Sequence, residues 1–407
     1  MKVSRTVFPI LLTLCLMAAQ AQAQLLRSGE IRINSETAGA QLLPDTETIL
    51  VKARLFDAAG EPRSGEIQVG RHRAAAYPGA RVAMALDGRF VVVWTGGTSI
   101  ADVVYGRRYA ANGAPLGGRI RLATIRSGQD SPDVAMAADG SFVAAWSQRV
   151  AKEHPDDPDE IAIDVNVRRF GPNGQPLGPE TLAIGGSDEQ SGPELAMRPN
   201  GDFVIACDIY RGESSFYDVV AQRFSSTGDP TGELIEVNEE LTADSSQSGP
   251  AIALAADGRF AIAWTDRLSD FARGGTDFST DDPTGVVIRV FAADGTALGP
   301  GRPVNTHVPG TQAGPAVNAL PNGTFVVLWT SGDDQDGDEY GIFGRLVAAD
   351  GTPRGREIRI NIQRGGLQWA PALAIAANGK GVAAWYGPDG AGTGIFARLI
   401  GLPRQGY

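Results

Sequence analysis

Apolar residues along this chain come in short blocks of two kinds. Solid runs such as Phe90 to Trp94 (FVVVW) and Phe142 to Trp146 (FVAAW) are followed by mixed runs such as VVYGRRY and IDVNVRRF, in which polar and apolar positions take turns. A strand covered on both faces needs the first pattern, and a strand with one face toward water needs the second. The solid runs are introduced by an Asp-Gly or Asn-Gly pair at positions 87, 139, 200, 257, 322 and 378, spaced 52 to 65 residues apart. Such a pair between apolar runs predicts a tight hairpin, with a type I′ turn and positive φ at both central residues. Seven positions after each pair begins stands Trp94, Trp146, Cys207, Trp264, Trp329 or Trp385. Three positions after it stands Phe90, Phe142, Phe203, Phe260 or Phe325, with Gly381 the exception.

A mixed strand, a Gly-containing turn and a short strand such as EIRIN (357–361) follow each hairpin. One repeat is therefore four antiparallel strands, and repetition at this period predicts an all-β fold, a β-propeller whose blades bury their faces on one another. GEIRIN (29–34) is a fourth strand without its first three, and GIFARLI (394–400) is a third strand without a fourth. Each end supplies what the other lacks, so pairing of the N- and C-terminal strands is expected to close the ring. A Q-x-x-P signal precedes the hairpins at Gln129, Gln190, Gln247, Gln312 and Gln368. It also occurs at Gln41 to Pro44, where no hairpin follows. Seven outer strand pairs against six inner hairpins predict seven blades with the first reduced; six blades plus an extra hairpin is the other reading.

The pattern P-x-V-A-x-x-x-D-G-x-F-x-x-x-W, with a third strand ending in R-F, resembles the tandem repeats of bacterial secreted and cell-surface β-propeller proteins, including adhesin-like ones. The likeness runs from about Gly29 to Ile400. It implies the repeat type and the fold, and no activity. Calcium in the loops is a property the resemblance implies for some relatives.

Composition adds an address. Lys2 and Arg5, the apolar stretch Val7 to Ala19 and the A-x-A end at Ala21 to Ala23 read as a signal peptide cut after Ala23, leaving 24–407 as one propeller domain, secreted or periplasmic. Thirteen apolar residues are too few for a transmembrane span. The chain carries 36 basic and 47 acidic residues, a net charge of −11 that becomes −13 once Lys2 and Arg5 leave with the leader. An acidic chain repels phosphate backbones, so nucleic acid is not expected as a partner. Cys207 alone remains after cleavage, so no internal disulfide forms, and its place in the Trp column reads as a small buried residue.

Candidate chemistry is sparse. SGDDQDGDEYG, after Trp329, sets Asp334, Asp336 and Asp338 at alternate positions beside Gly337, a spacing that suits calcium. Glu339 stands where an EF-hand loop requires Gly. Asp156, Asp157, Asp159 and Glu160, and Asp277, Asp281 and Asp282, occupy the same part of their repeats and predict an acidic face. His72, His154 and His307 each stand alone, without metal spacing. Arg107, Arg168, Arg223, Arg289, Arg345 and Arg398 recur in the third strand, which points to a structural role such as pairing with carboxylates between blades. The leading expectation is an exported, non-enzymatic propeller that presents loops to a protein or glycan partner, with calcium ordering them and no catalytic residues. The alternative is a secreted polysaccharide hydrolase or lyase, which needs two carboxylates about 5 to 10 Å apart in the central funnel. A third reading has the missing inner hairpin leave a groove for another chain's strand.

Overall fold

The computed structural model describes residues 15–17, 31–33, 48–73, 80–98, 101–124, 128–151, 161–186, 188–211, 217–238, 245–268, 284–332, 335–376, 378–390 and 392–401. Every regular element among them is a strand. Two short strands, β1 (Cys15–Met17) and β2 (Ile31–Arg32), precede a hairpin of β3 (Thr48–Phe56) and β4 (Ile67–Arg73). Blade 1 is β5 (Ala80–Met84), β6 (Phe90–Thr98), β7 (Ala101–Tyr109) and β8 (Ile120–Arg121). Blade 2 is β9 (Gln129–Met136), β10 (Phe142–Ala151), β11 (Ile161–Phe170) and β12 (Thr181–Ile184). Blade 3 is β13 (Glu189–Met197), β14 (Phe203–Tyr210), β15 (Tyr217–Phe224) and β16 (Ile235–Glu236). Blade 4 is β17 (Ser245–Leu254), β18 (Phe260–Leu268), β19 (Thr284–Phe291) and β20 (Arg302–Pro303). Blade 5 is β21 (Gln312–Ala319), β22 (Phe325–Gly332), β23 (Tyr340–Val347) and β24 (Pro353–Arg359). Blade 6 is β25 (Trp369–Ile375), β26 (Lys380–Pro388) and β27 (Thr393–Gly401), and its fourth strand is β2.

These are six four-stranded antiparallel sheets, the blades of a β-propeller, with the first strands of successive blades side by side around the axis. The expected count of seven is corrected to six. Residues 48–73 lack the inner Asp-Gly hairpin, so among the described residues only the outer pair of strands is found, and β3–β4 forms a smaller sheet that β1 joins in parallel. That hairpin packs Val51, Ala53, Leu55 and Val69 on Phe90, Val92 and Trp94 of blade 1, while Phe56 joins Ile33, Val382 and Ile395 on the side of blade 6. The contact of β2 with β27 is two residue pairs long, Ile31 with Ala397 and Arg32 with Phe396.

Packing follows the repeat. Alternate residues of each β6-type strand face opposite neighbours: Phe90, Val92 and Trp94 face the β3–β4 hairpin, and Val91 and Val93 face blade 2. Trp94, Trp146, Trp264, Trp329 and Trp385 are all fully buried. Truncating such a core Trp to Ala typically costs about 3–5 kcal/mol. Cys207 is buried in the cluster between blades 2 and 3, and burial pushes its thiol pKa up, as suits an inert small residue.

The turns differ from the expected type I′. In the first, Gly88 N–H donates to Ala85 O, only Gly88 has positive φ (+85°), and Asp87 Oδ1 accepts the Arg89 N–H at 3.0 Å. The same side-chain acceptance recurs at Asp139, Asn200, Asp257, Asn322 and Asn378. This is a type I turn closed by a left-handed glycine. The Asp or Asn is selected for its acceptor rather than for positive φ.

The recurrent arginines join blades, though not through carboxylates. Arg168, Arg289, Arg345 and Arg398 each donate Nη1 to a fourth-strand or following carbonyl of the preceding blade (Leu122, Val237, Val304 and Ile360) at 2.8–3.1 Å. Arg54 of the hairpin does the same to Ile33 O at 2.9 Å. Blade 3 puts Gln222 at this position, and Arg223 instead reaches forward to Ala293 O, as Arg108 does to Pro172 O and Arg169 to Thr227 O.

Candidate active site in the axial channel

In blades 2 to 6 the Q-x-x-P places its third residue in the left-handed region: Ser131 (φ 46°), Gly192, Gly249, Gly314 and Ala370 (φ 53°); Gln41 to Pro44 lies outside the described residues. The kink is a bulge that breaks register with the second strand in blades 2 to 6. It frees a backbone N–H to donate to the preceding blade: Gly192 to Ser147 Oγ, Gly314 to Thr265 Oγ1 and Ala370 to Thr330 Oγ1, each at 3.1 Å. Blade 3 breaks the rule, because Gly249 donates to a carboxylate there, Asp208 Oδ1, at 2.9 Å.

Just past the bulge, each first strand presents one residue opposite the position before the Trp column. Around the six blades these are Arg81, Asp133, Glu194, Ala251, Ala316 and Ala372. Three neighbouring blades carry charge at a position where the other three carry alanine. Arg81 Nη2 donates to Glu194 Oε1 at 2.8 Å, and its Nε lies 3.8 Å from Asp133 Oδ1. The link joins blade 1 to blade 3 and skips the intervening first strand of blade 2. One guanidinium touches both carboxyl groups, which keeps them closer than roughly 10 Å, the outer limit for glycosidase pairs.

Their settings differ. Arg81 keeps 44% of its side-chain surface open and Glu194 keeps 28%, whereas Asp133 keeps 9%. Asp133 Oδ2 accepts the Leu195 N–H at 2.6 Å. Burial, reinforced by the charge of Glu194, pushes the Asp133 carboxyl well above the usual carboxylate range, against the pull of Arg81 and two backbone N–H donors. Glu194 in turn raises the Arg81 pKa. Asp208 is pushed up to about 7, first by burial and then by Glu194. From blade 6, Tyr386 is pushed up to about 12 by burial, and Arg81 acts against that shift. A carboxyl group that holds its proton near neutrality, beside a carboxylate held by a cation, is the division of labour that acid-base catalysis requires.

Of the residues expected to carry chemistry, Asp336 and Asp338 are among the described ones. Asp334 is outside the described residues, as are Asp156, Asp157, Asp159, Glu160, Asp277, Asp281, Asp282 and His154. Asp336 is buried, and its Oδ2 accepts from Asn361 Nδ2 at 2.9 Å. Asp338 accepts the Gly366 N–H at 2.7 Å and the Glu339 N–H at 2.9 Å, and these bonds lower its pKa. Among the described residues, no three His, Cys, Asp or Glu side chains converge as a metal cluster would. Two surface hollows of about 490 and 540 Å³ lie off the axis, the first beside Asp336, Arg359 and Arg398, the second beside Asp139, Arg169 and Asn200. Reading the motifs singly missed Arg81, Asp133, Glu194 and Asp208. Stacking the repeats on one another shows them, because each breaks a column.

By sequence, no family model and no curated protein matches the chain. By structure, it is similar to a protein of unknown function from Dyadobacter fermentans (TM-score 0.53, 11% identity, 79% of this chain and 94% of that one). It is similar also to an α-L-arabinanase of Penicillium chrysogenum solved with arabinobiose (TM-score 0.51, 14% identity, 78% and 92%). A third is a point mutant of an α-L-arabinofuranosidase from Fusarium graminearum, solved with an iminosugar inhibitor (TM-score 0.51, 13% identity, 79% and 92%). At these identities the likeness establishes the fold. The expectation of a non-enzymatic, loop-presenting propeller is corrected to this extent: the two neighbours above with a stated activity are glycoside-cleaving enzymes, and the carboxyl groups of Asp133 and Glu194 both meet Arg81.

Proposed function

We propose that this chain is a glycoside hydrolase that cleaves a polysaccharide in its axial channel. The observation that carries the reading is the Arg81 bridge between the carboxyl groups of Asp133 and Glu194. Asp133, with Oδ2 occupied by a backbone N–H, donates its proton to the glycosidic oxygen as the C–O bond breaks. Glu194 supplies the negative charge opposite, as nucleophile or as base for water, and the anomer of the first product distinguishes the two. Arg81 orients Glu194 and keeps two nearby carboxyl groups from sharing a single proton. The arabinan-acting neighbours make arabinan the first substrate to try.

In the same reading the enzyme works outside the cytoplasm, as one propeller domain of residues 24–407 closed by the β2–β27 pairing. Among the described residues no helix is long and apolar enough to cross a membrane. The leader is cut after Ala23, so Edman sequencing of the exported protein should begin at Gln24. Release of reducing sugar from arabinan and other neutral polysaccharides, compared between the parent, E194Q and D133N, tests the activity. Equal release by all three removes these residues from the chemistry.

A further inference from the structure

A second departure from the repeat lies in blade 6. The residue after each buried Trp (or Cys207) pairs across the sheet with the second residue of Q-x-x-P, giving Ser147 with Asp130, Asp208 with Ser191, Thr265 with Ser248 and Thr330 with Ala313. In blade 6 the same pair is Tyr386 with Trp369. Small or polar partners are replaced by two large rings, stacked with centroids 5.2 Å apart and planes 28° apart. Tyr386 packs on the cluster of Ile33, Phe56, Val382 and Ile395, whereas Trp369 is half-buried and stands outside the seven apolar clusters of the described residues. Tyr386 holds in blade 6 the position that Asp208 holds in blade 3, the residue after the Trp column paired with the second residue of Q-x-x-P. The ring pair therefore stands at the level of Asp208, with Trp369 three residues before the channel position Ala372. Arg81 acts on the Tyr386 pKa in accord with that placement. Between the rings and the carboxylates, the channel positions of blades 4 to 6 are Ala251, Ala316 and Ala372, which leave room that longer side chains would fill.

We infer that the Trp369–Tyr386 pair is a sugar-stacking subsite that holds an uncharged glycan against the carboxylates of Asp133 and Glu194. This deepens the hydrolase reading and rests on it for the position of the scissile bond. The apolar C–H face of a pyranose or furanose ring packs on an indole, while its hydroxyl edge stays in water or meets polar groups. The glycan class follows from charge. Among the six channel-column residues Arg81 is the one cation and already serves two carboxylates, so a uronate would meet a net negative column there.

The test uses the mature chain carrying E194Q, which blocks turnover, and compares it with W369S and Y386T made in that background. Both substitutions install residues that other blades carry at the same positions, so the sheet tolerates them; melting temperature verifies this. Calorimetric titration uses neutral oligosaccharides of arabinose, xylose and glucose, and oligogalacturonate as the acidic counterpart. The inference predicts that a neutral oligosaccharide binds, that each substitution weakens binding tenfold or more, and that melting shifts little. It is overturned if no neutral oligosaccharide binds, if oligogalacturonate binds best, or if both variants bind as tightly as their parent. Trp369-dependent binding, with no turnover by the chain that keeps Glu194, counts against the hydrolase reading alone. Turnover that survives W369S and Y386T made in the chain with Glu194 intact, with unchanged KM, counts against the subsite alone.

Discussion

Blades 1 to 3 and blades 4 to 6 share turns, buried aromatics and bulges, yet their channel positions read Arg81, Asp133, Glu194 against Ala251, Ala316, Ala372. Everything the six blades have in common is explained by folding. The Phe residues stack on the third strand at 4.7–5.0 Å in four blades, and the arginines bond carbonyls of the preceding blade. What one half has and the other lacks is not required by the fold, since the alanine half folds without it. In a repeat protein the columns hold the structure together, and their exceptions are where function is to be sought.

The comparison can be broken most severely at its charged side. E194Q and D133N should each lower the hydrolytic rate by about 10²- to 10⁴-fold, the usual range for a positioned acid or base, with melting temperature little changed. Arg81→Ala makes blade 1 resemble blades 4 to 6. It should cost less in rate than losing either carboxyl, and it should move the acidic limb of the pH–rate profile upward, because the two carboxyl groups then face each other without a cation. The matching control, Ala251→Ser on the other half, should leave rate and profile unchanged.

Columns should behave in the opposite way. Arg345→Ala removes the bonds to Val304 O and Gly355 O and should cost about 1.5–3 kcal/mol of stability by denaturant unfolding, with KM and pH profile intact. The smallest effect is expected from Asp208→Thr, which restores the hydroxyl latch of blades 4 and 5. The folded-state pKa of Asp208 is raised from its ordinary value to about 7. The folded state therefore holds a proton that the unfolded chain has released, and stability declines as pH rises from about 4 to about 7. D208T should make that decline shallower; a decline of unchanged slope would remove Asp208 as its source.

Much of the fold was readable in one dimension, because Asp-Gly, Phe and Trp recur at fixed offsets and alternation marks the outer strands. The turn type was not, since an Asp that accepts its neighbour's N–H and an Asp with positive φ look alike as letters. Blade number depended on whether residues 48–73 could stand as a blade, and two strands make only a hairpin. Arg81, Asp133 and Glu194 were readable as exceptions in a column, but not as a site: the Arg81–Glu194 contact joins residues 113 positions apart in blades that are not neighbours. Spacing likewise does not reveal that Asn361 donates to Asp336 and the Gly366 N–H to Asp338.

The most direct test of the account is reducing-end release from arabinan and a panel of neutral polysaccharides by the mature protein and its E194Q and D133N variants, with binding measured in parallel. The account predicts release by the parent on at least one neutral polymer and a fall of at least a hundredfold in both variants, which stay folded. Release that persists undiminished in the variants, or no release from a parent that binds glycan, would contradict it.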